Sequence, residues 1–113
     1  MVKRHALYLD QIDTFFSCVV CHSQIITQND IVSRAFQGRD GPAYLVEDTI
    51  NISIGKPEER MLLTGLHIVA DISCNICKTK VGWQYLETPR GNQAYKEGKF
   101  IVEKSKIIKE LSL

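Results

Sequence analysis

Apolar residues recur mostly at every second position along this chain. Ile50, Ile52 and Ile54 alternate with Asn51 and Ser53, which predicts a strand with its β-branched side chains on one face. Residues 67–72 alternate again, with Ile68, Ala70 and Ile72 on one side and His67, Val69 and Asp71 on the other. Val81, Trp83 and Tyr85 share a face in the strand after that, and residues 99–103 supply the last strand signal. Earlier, Gln37-Gly38-Arg39-Asp40-Gly41-Pro42 concentrates turn formers and separates a strand over 31–36 from one over 44–46. Gly55-Lys56-Pro57-Glu58 stops the isoleucine strand, and the pattern resumes over 61–65. Only the C-terminal stretch 104–111 departs from this period: Ile107, Ile108 and Leu111 have helical spacing and predict a short helix. The expectation is an all-β domain of short antiparallel strands with that one helix.

Four cysteines interrupt the pattern as two C-x2-C pairs, Cys18-Val19-Val20-Cys21 and Cys74-Asn75-Ile76-Cys77, and the chain has no others. Two thiolates two residues apart grip a metal from one tight turn, and two such turns complete the tetrahedral shell of a single structural Zn²⁺. The insert between the pairs is 52 residues long, against about 15–20 in a zinc ribbon. Loop closure costs only about 0.6 kcal/mol per doubling of length, so the longer insert costs roughly 1 kcal/mol. A structural zinc site contributes on the order of 10 kcal/mol. The insert is therefore a folded part of the domain.

Two other uses of the cysteines fit less well. Disulfides need an oxidising compartment, and residues 1–10 are basic without an apolar run long enough for a signal peptide. Cys18-Val19-Val20-Cys21-His22 matches the C-x-x-C-H of haem attachment, but that reading leaves Cys74 and Cys77 unused. At 113 residues the chain is expected to be one domain, 1–113, in the size range where a metal adds materially to stability. A formal charge of +1 gives no strong pull toward nucleic acid or anionic lipid, and no transmembrane run is present. Neither nucleic acid nor membrane is an expected partner.

Further motifs accompany the cysteine frame. They are Phe36-Gln37-Gly38 with Gly41, Ala43, Tyr44 and Leu45, the run Glu59-Arg60-Met61-Leu62-Leu63-Thr64-Gly65-Leu66-His67, Gly82-Trp83 with Tyr85, and Tyr95-Lys96-Glu97-Gly98-Lys99-Phe100. Together, over about residues 16–103, the chain resembles the Yippee family. The resemblance implies a β-tent, two antiparallel sheets leaning together with zinc at their junction, and zinc ligands at Cys18, Cys21, Cys74 and Cys77. It also implies a nuclear and cytoplasmic location. Gln24 and Gln28 stand where many animal members carry histidines, so no further metal site is expected there.

Four thiolates saturate zinc and leave no open position for water, so metal-assisted hydrolysis is not expected. Some tent-like zinc domains are reductases that use a reactive cysteine, but no thiolate remains here to act as nucleophile. The expected function is a non-enzymatic, zinc-stabilised binding module acting through a protein partner. By analogy with the tent-like domain of cereblon, it would be a regulatory or adaptor subunit of a larger assembly such as a ubiquitin ligase. The alternative is a reader of a small ligand or modified side chain. For that role Trp83 and Tyr85, two residues apart, would present exposed aromatic faces to one pocket, or else pack as core behind the zinc end. His67 would line the same pocket, hydrogen-bond a cysteine sulfur, or stand as a satisfied, half-buried residue. The charged stretch Lys56, Glu58, Glu59 and Arg60 is expected as a solvated loop.

Overall fold

The computed structural model describes residues 13–112; the segment read for an export signal lies outside them. Ten strands follow in chain order: β1 (Asp13–Cys18), β2 (Gln24–Thr27), β3 (Ile31–Gln37), β4 (Pro42–Val46), β5 (Ile52–Ile54), β6 (Glu58–Leu62), β7 (Gly65–Cys74), β8 (Lys80–Glu87), β9 (Phe100–Glu103) and β10 (Ile107–Ser112). They build two antiparallel sheets: the alternation implies the strands, and the resemblance implies their division into two sheets. The smaller sheet has the order β10-β1-β2; the larger has β3-β4-β9-β8-β7-β5, with β6 also paired to β7. The long β7 serves two partners in succession, β6 along its first half and β5 along its second. β3 therefore forms one edge of the large sheet, while β5 and β6 form the other.

The central strands of the large sheet are buried on both faces. Phe16, Ile25, Ile26 and Ile107 of the small sheet pack with Val46, Ile72, Val81, Phe100 and Val102 of the large one, and Cys18 and Cys74 close that core at one end. On the opposite face Ala43, Leu45, Val69, Trp83, Tyr85 and Ile101 form a second core, flanked by Phe36 and Leu62. Strand β9 shows the division plainly: Phe100 and Val102 serve the first core and Ile101 the second. A strand buried on both faces loses the clean apolar and polar alternation of a half-exposed one.

Four expectations need correction. Residues 104–111 are not an α-helix: Lys104–Lys106 is a single 3-10 turn, and β10 then pairs with β1 from Ile107 opposite Cys18 onward. So short a helix is marginal by itself, whereas the edge of β1 supplies ladder hydrogen bonds. Val81 does not share a face with Trp83 and Tyr85. The β7–β8 register shifts between Ile72 and Ser73, and this bulge turns Val81 toward the first core while Trp83 and Tyr85 face the second. The isoleucine strand is only Ile52–Ile54, with Ile50 and Ile54 exposed, because it forms a sheet edge. Residues 61–65 are not one strand but the end of β6, a turn at Leu63 and Thr64, and the start of β7.

Candidate functional site

Each C-x2-C pair sits on a turn, and the two turns are equivalent bond for bond. The backbone N–H of His22 donates to Cys18 O and that of Lys78 to Cys74 O, both at 2.8 Å. Cys18 N–H donates to Ser23 O and Cys74 N–H to Thr79 O, again at 2.8 Å. The residue after each second cysteine is left-handed, with φ of 65° at His22 and 68° at Lys78. That conformation closes the turn and aims two sulfurs the same way. Because Cys18 ends β1 in the small sheet and Cys74 ends β7 in the large one, the sheets themselves bring the turns together.

The four sulfurs lie within 4.8 Å of one another, with Cys18 Sγ 3.5 Å from Cys77 Sγ and Cys21 Sγ 3.5 Å from Cys74 Sγ. A tetrahedron with Zn–S bonds of about 2.3 Å has edges of about 3.8 Å, so the cluster fits one zinc ion. All four cysteines are free, and their sulfurs stand well beyond the disulfide bond length of about 2.05 Å. The hydroxyl of Ser23 lies 3.3 Å from Cys21 Sγ and that of Thr79 lies 3.2 Å from Cys77 Sγ. The Cys21 thiol donates to Ser23 Oγ, and once the two thiols ionise both hydroxyls can turn to donate to sulfur, which favours the thiolates, lowering Cys21 and holding Cys77 down at about 6. Burial pushes the Cys18 thiol up to about 11, so its ionisation needs the charge of the metal. Bound here, zinc supplies a fourfold cross-link between the sheets and no vacant coordination position.

On the far face of the large sheet is a cleft of about 870 Å³. One wall comes from β3 and the turn after it, including Phe36; the other comes from β6 and its turn, including Arg60 and Leu63. Trp83 and Tyr85 form part of the lining between them, and Lys96, from a 3-10 turn over Ala94–Lys96, completes it. Exposed apolar side chains stand at the cleft, with Met61 72% and Leu63 97% exposed. Arg60 is not in a solvated loop, and Glu58 and Glu59 share its strand β6. Its guanidinium donates to Glu58 Oε1 at 2.9 Å and to Asp71 Oδ1 at 3.2 Å, and lies 5.6 Å from the Trp83 ring centre.

Trp83 and Tyr85 meet edge to face at 6.2 Å and do line the cleft, but they are not exposed. At 5% and 2% exposure they are core residues whose surfaces also line the cavity, so packing and pocket coincide. Burial pushes the Tyr85 hydroxyl up to about 12, with the neighbouring indole N–H offsetting this only in part; the indole Nε1 finds no acceptor at hydrogen-bond geometry. His67 neither lines the cleft nor reaches a cysteine sulfur. Six residues of β7 lie between it and Cys74, a separation of roughly 23 Å along the strand. It is buried, donates from Nδ1 to Gly65 O at 2.8 Å, and packs 5.4 Å from the Tyr85 ring centre, behind the cleft wall. As cleft residues Lys96 and Phe36 were legible only as parts of family-like motifs: no periodicity marks Lys96, on a 3-10 turn, as facing a cavity, and Phe36 reads simply as the end of a strand.

Comparison with known proteins agrees with this geometry. Residues 14–111 match the family model described as Yippee zinc-binding/DNA-binding /Mis18, centromere assembly. Protein yippee-like 3 of Homo sapiens is 44% identical over 108 residues, 96% of this chain and 91% of that protein. The chain belongs to the Yippee family. The Danio rerio yippee-like 3 protein is 46% identical over the same length and coverage, and a yippee-like protein of Caenorhabditis elegans is 46% identical over 103 residues, 91% of this chain and 75% of that one. Among solved structures, the crystal structure of the Mis18 'Yippee-like' domain superposes with a TM-score of 0.67, covering 89% of this chain and 97% of that one at 18% identity, a likeness of fold. The chain is thus a Yippee-like zinc-binding domain, with Cys18, Cys21, Cys74 and Cys77 clustered as one zinc site.

Proposed function

We propose that this domain is a non-enzymatic binding module, that zinc holds its two sheets together, and that the cleft behind them receives a protein partner. The observation that carries the reading is the cleft itself: an aromatic lining from Trp83, Tyr85 and Phe36, with Met61 and Leu63 left in solvent. Large exposed apolar side chains beside a preformed concavity are the usual signature of a contact site. The saturated sulfur shell supports a structural role for the metal rather than a hydrolytic one. In this reading the domain works in the nucleus and cytoplasm as a regulatory or adaptor subunit of a larger assembly, a ubiquitin ligase being one form. The near-neutral charge favours protein over nucleic acid or membrane. A second reading, a small ligand or modified side chain held against Trp83 and Tyr85, is supported by the cleft volume, which falls in the range of small-molecule sites.

A photo-crosslinking amino acid placed at Leu63 tests the proposal in cells, with the same residue at Lys109 on the small sheet as control. Discrete protein adducts from position 63, lost when Met61→Asp is added, are the expected result. Adducts that are the same from both positions, or unaffected by Met61→Asp, count against the cleft as the contact site. Recovery of a stoichiometric small molecule from the purified protein by mass spectrometry would favour the second reading.

A further inference from the structure

Lys96 is a buried cation that neither the zinc site nor the packing of the sheets explains. It lines the cleft yet is only 4% exposed. Its ammonium donates to Thr64 Oγ1 at 3.0 Å and lies 5.3 Å from the Tyr85 ring centre and 5.6 Å from that of Phe36. Among the described residues no carboxylate comes within ion-pair distance of it. Two aromatic faces and one hydroxyl offset part of the desolvation cost, but an ammonium has three donors and its charge stays uncompensated. The other cation of the cleft wall, Arg60, is already neutralised by Glu58 and Asp71. Arg39, at the cleft edge, is exposed and its charge is screened.

Two more polar atoms of the lining are buried without partners: the Trp83 indole Nε1, a donor, and Gln93 Oε1, an acceptor whose amide orientation follows from the bond of its Nε2 to Asn92 Oδ1. One donor and one acceptor are what a peptide group requires. A single unneutralised cation matches one carboxylate better than a phosphate dianion. Building on the cleft reading above, we infer that the cleft takes an apolar peptide segment bearing one carboxylate, which Lys96 Nζ receives as its counter-charge. The indole N–H and the Gln93 carbonyl then meet the segment's backbone, and Met61 and Leu63 meet its apolar side chains.

Trp83 is the only tryptophan in the chain, so the protein gives a single indole N–H resonance, from a residue that lines the cleft. The zinc-loaded protein is titrated with pools of capped pentapeptides, apolar residues randomised at four positions and the centre fixed as Asp, Asn or phosphoserine, and separately with hexanoate. The expected result is half-saturation by the Asp pool at a concentration at least tenfold below that of the Asn pool. The advantage should vanish in Lys96→Met and survive in Lys96→Arg. Equal binding of the Asp and Asn pools overturns the inference while leaving the cleft a peptide site. An Asp advantage that persists in Lys96→Met overturns it, as does tighter binding of the phosphoserine pool or of hexanoate. If no pool shifts the resonance the inference falls, and the crosslinks from position 63 judge the cleft reading independently. Should Lys96→Met fail to fold, the Asp and Asn comparison on the wild type still decides.

Discussion

A side chain at 5% exposure contributes to the core whether or not it also meets a ligand, and Trp83 is in that position. Trp83→Ala should therefore lower stability by about 3–5 kcal/mol in a denaturant titration, a large share of what a domain of this size has. Loss of binding in that variant would not separate the two roles. Leu63→Asp separates them, because a nearly fully exposed turn residue should change stability by less than about 0.5 kcal/mol while removing an apolar contact beside the cleft. Asp71 behaves differently. Burial pushes its carboxyl up, but the Lys80 hydrogen bond at 3.1 Å and the Arg60 charge outweigh that and hold it below the usual carboxylate range. A depressed carboxyl contributes stability that is complete above its unfolded value and is lost as pH falls through the lower, folded one. Melting temperatures of the wild type should thus fall on acidification through the carboxylate range, and Asp71→Asn should be less stable near neutrality and flatter across that range.

The strands most legible in the sequence are those bounded by a strong turn, glycine and proline in one case and the second cysteine pair in the other. The boundaries around 37–42 and the alternation of 67–72 both stand in the fold. Less legible were elements whose faces are decided by a partner. β10 has an apolar spacing compatible with helix, and only the edge of β1 selects strand; the bulge that sends Val81 away from Trp83 leaves no mark in the apolar pattern. Gly82, beside it, is such a mark only once the fold is known: a Cβ there would collide with the Ile101 carbonyl oxygen. If β10 is a structural strand, ending the chain at Ser105 uncovers β1 and removes Ile107 from the core beside Cys18. That shortened chain should lose its cooperative melt and release zinc to a chelator faster than the full chain, whereas a dispensable C-terminal helix would leave both unchanged.

For the whole molecule, the zinc ligands were legible because cysteine chemistry and spacing identify them without the fold. The cleft was not, since it arises between β3 and β6, opposite edges of the large sheet that no local pattern places on one cavity. The two sites lie on opposite sides of the large sheet, and the account makes them dependent in one direction: the sulfur cluster joins Cys18 of the small sheet to Cys74 of the large one, and the sheet so fixed presents the cleft. Zinc binding on the order of 10 kcal/mol exceeds half of the stability of a typical domain. The most direct measurement is a thermal melt of the protein stripped of metal, beside the same sample reloaded with one equivalent of zinc. The account predicts no cooperative transition without metal and its recovery at one zinc per chain, with Cys→Ser at any of Cys18, Cys21, Cys74 or Cys77 preventing that recovery. A metal-free protein that still melts cooperatively at the temperature of the zinc-loaded form would contradict it.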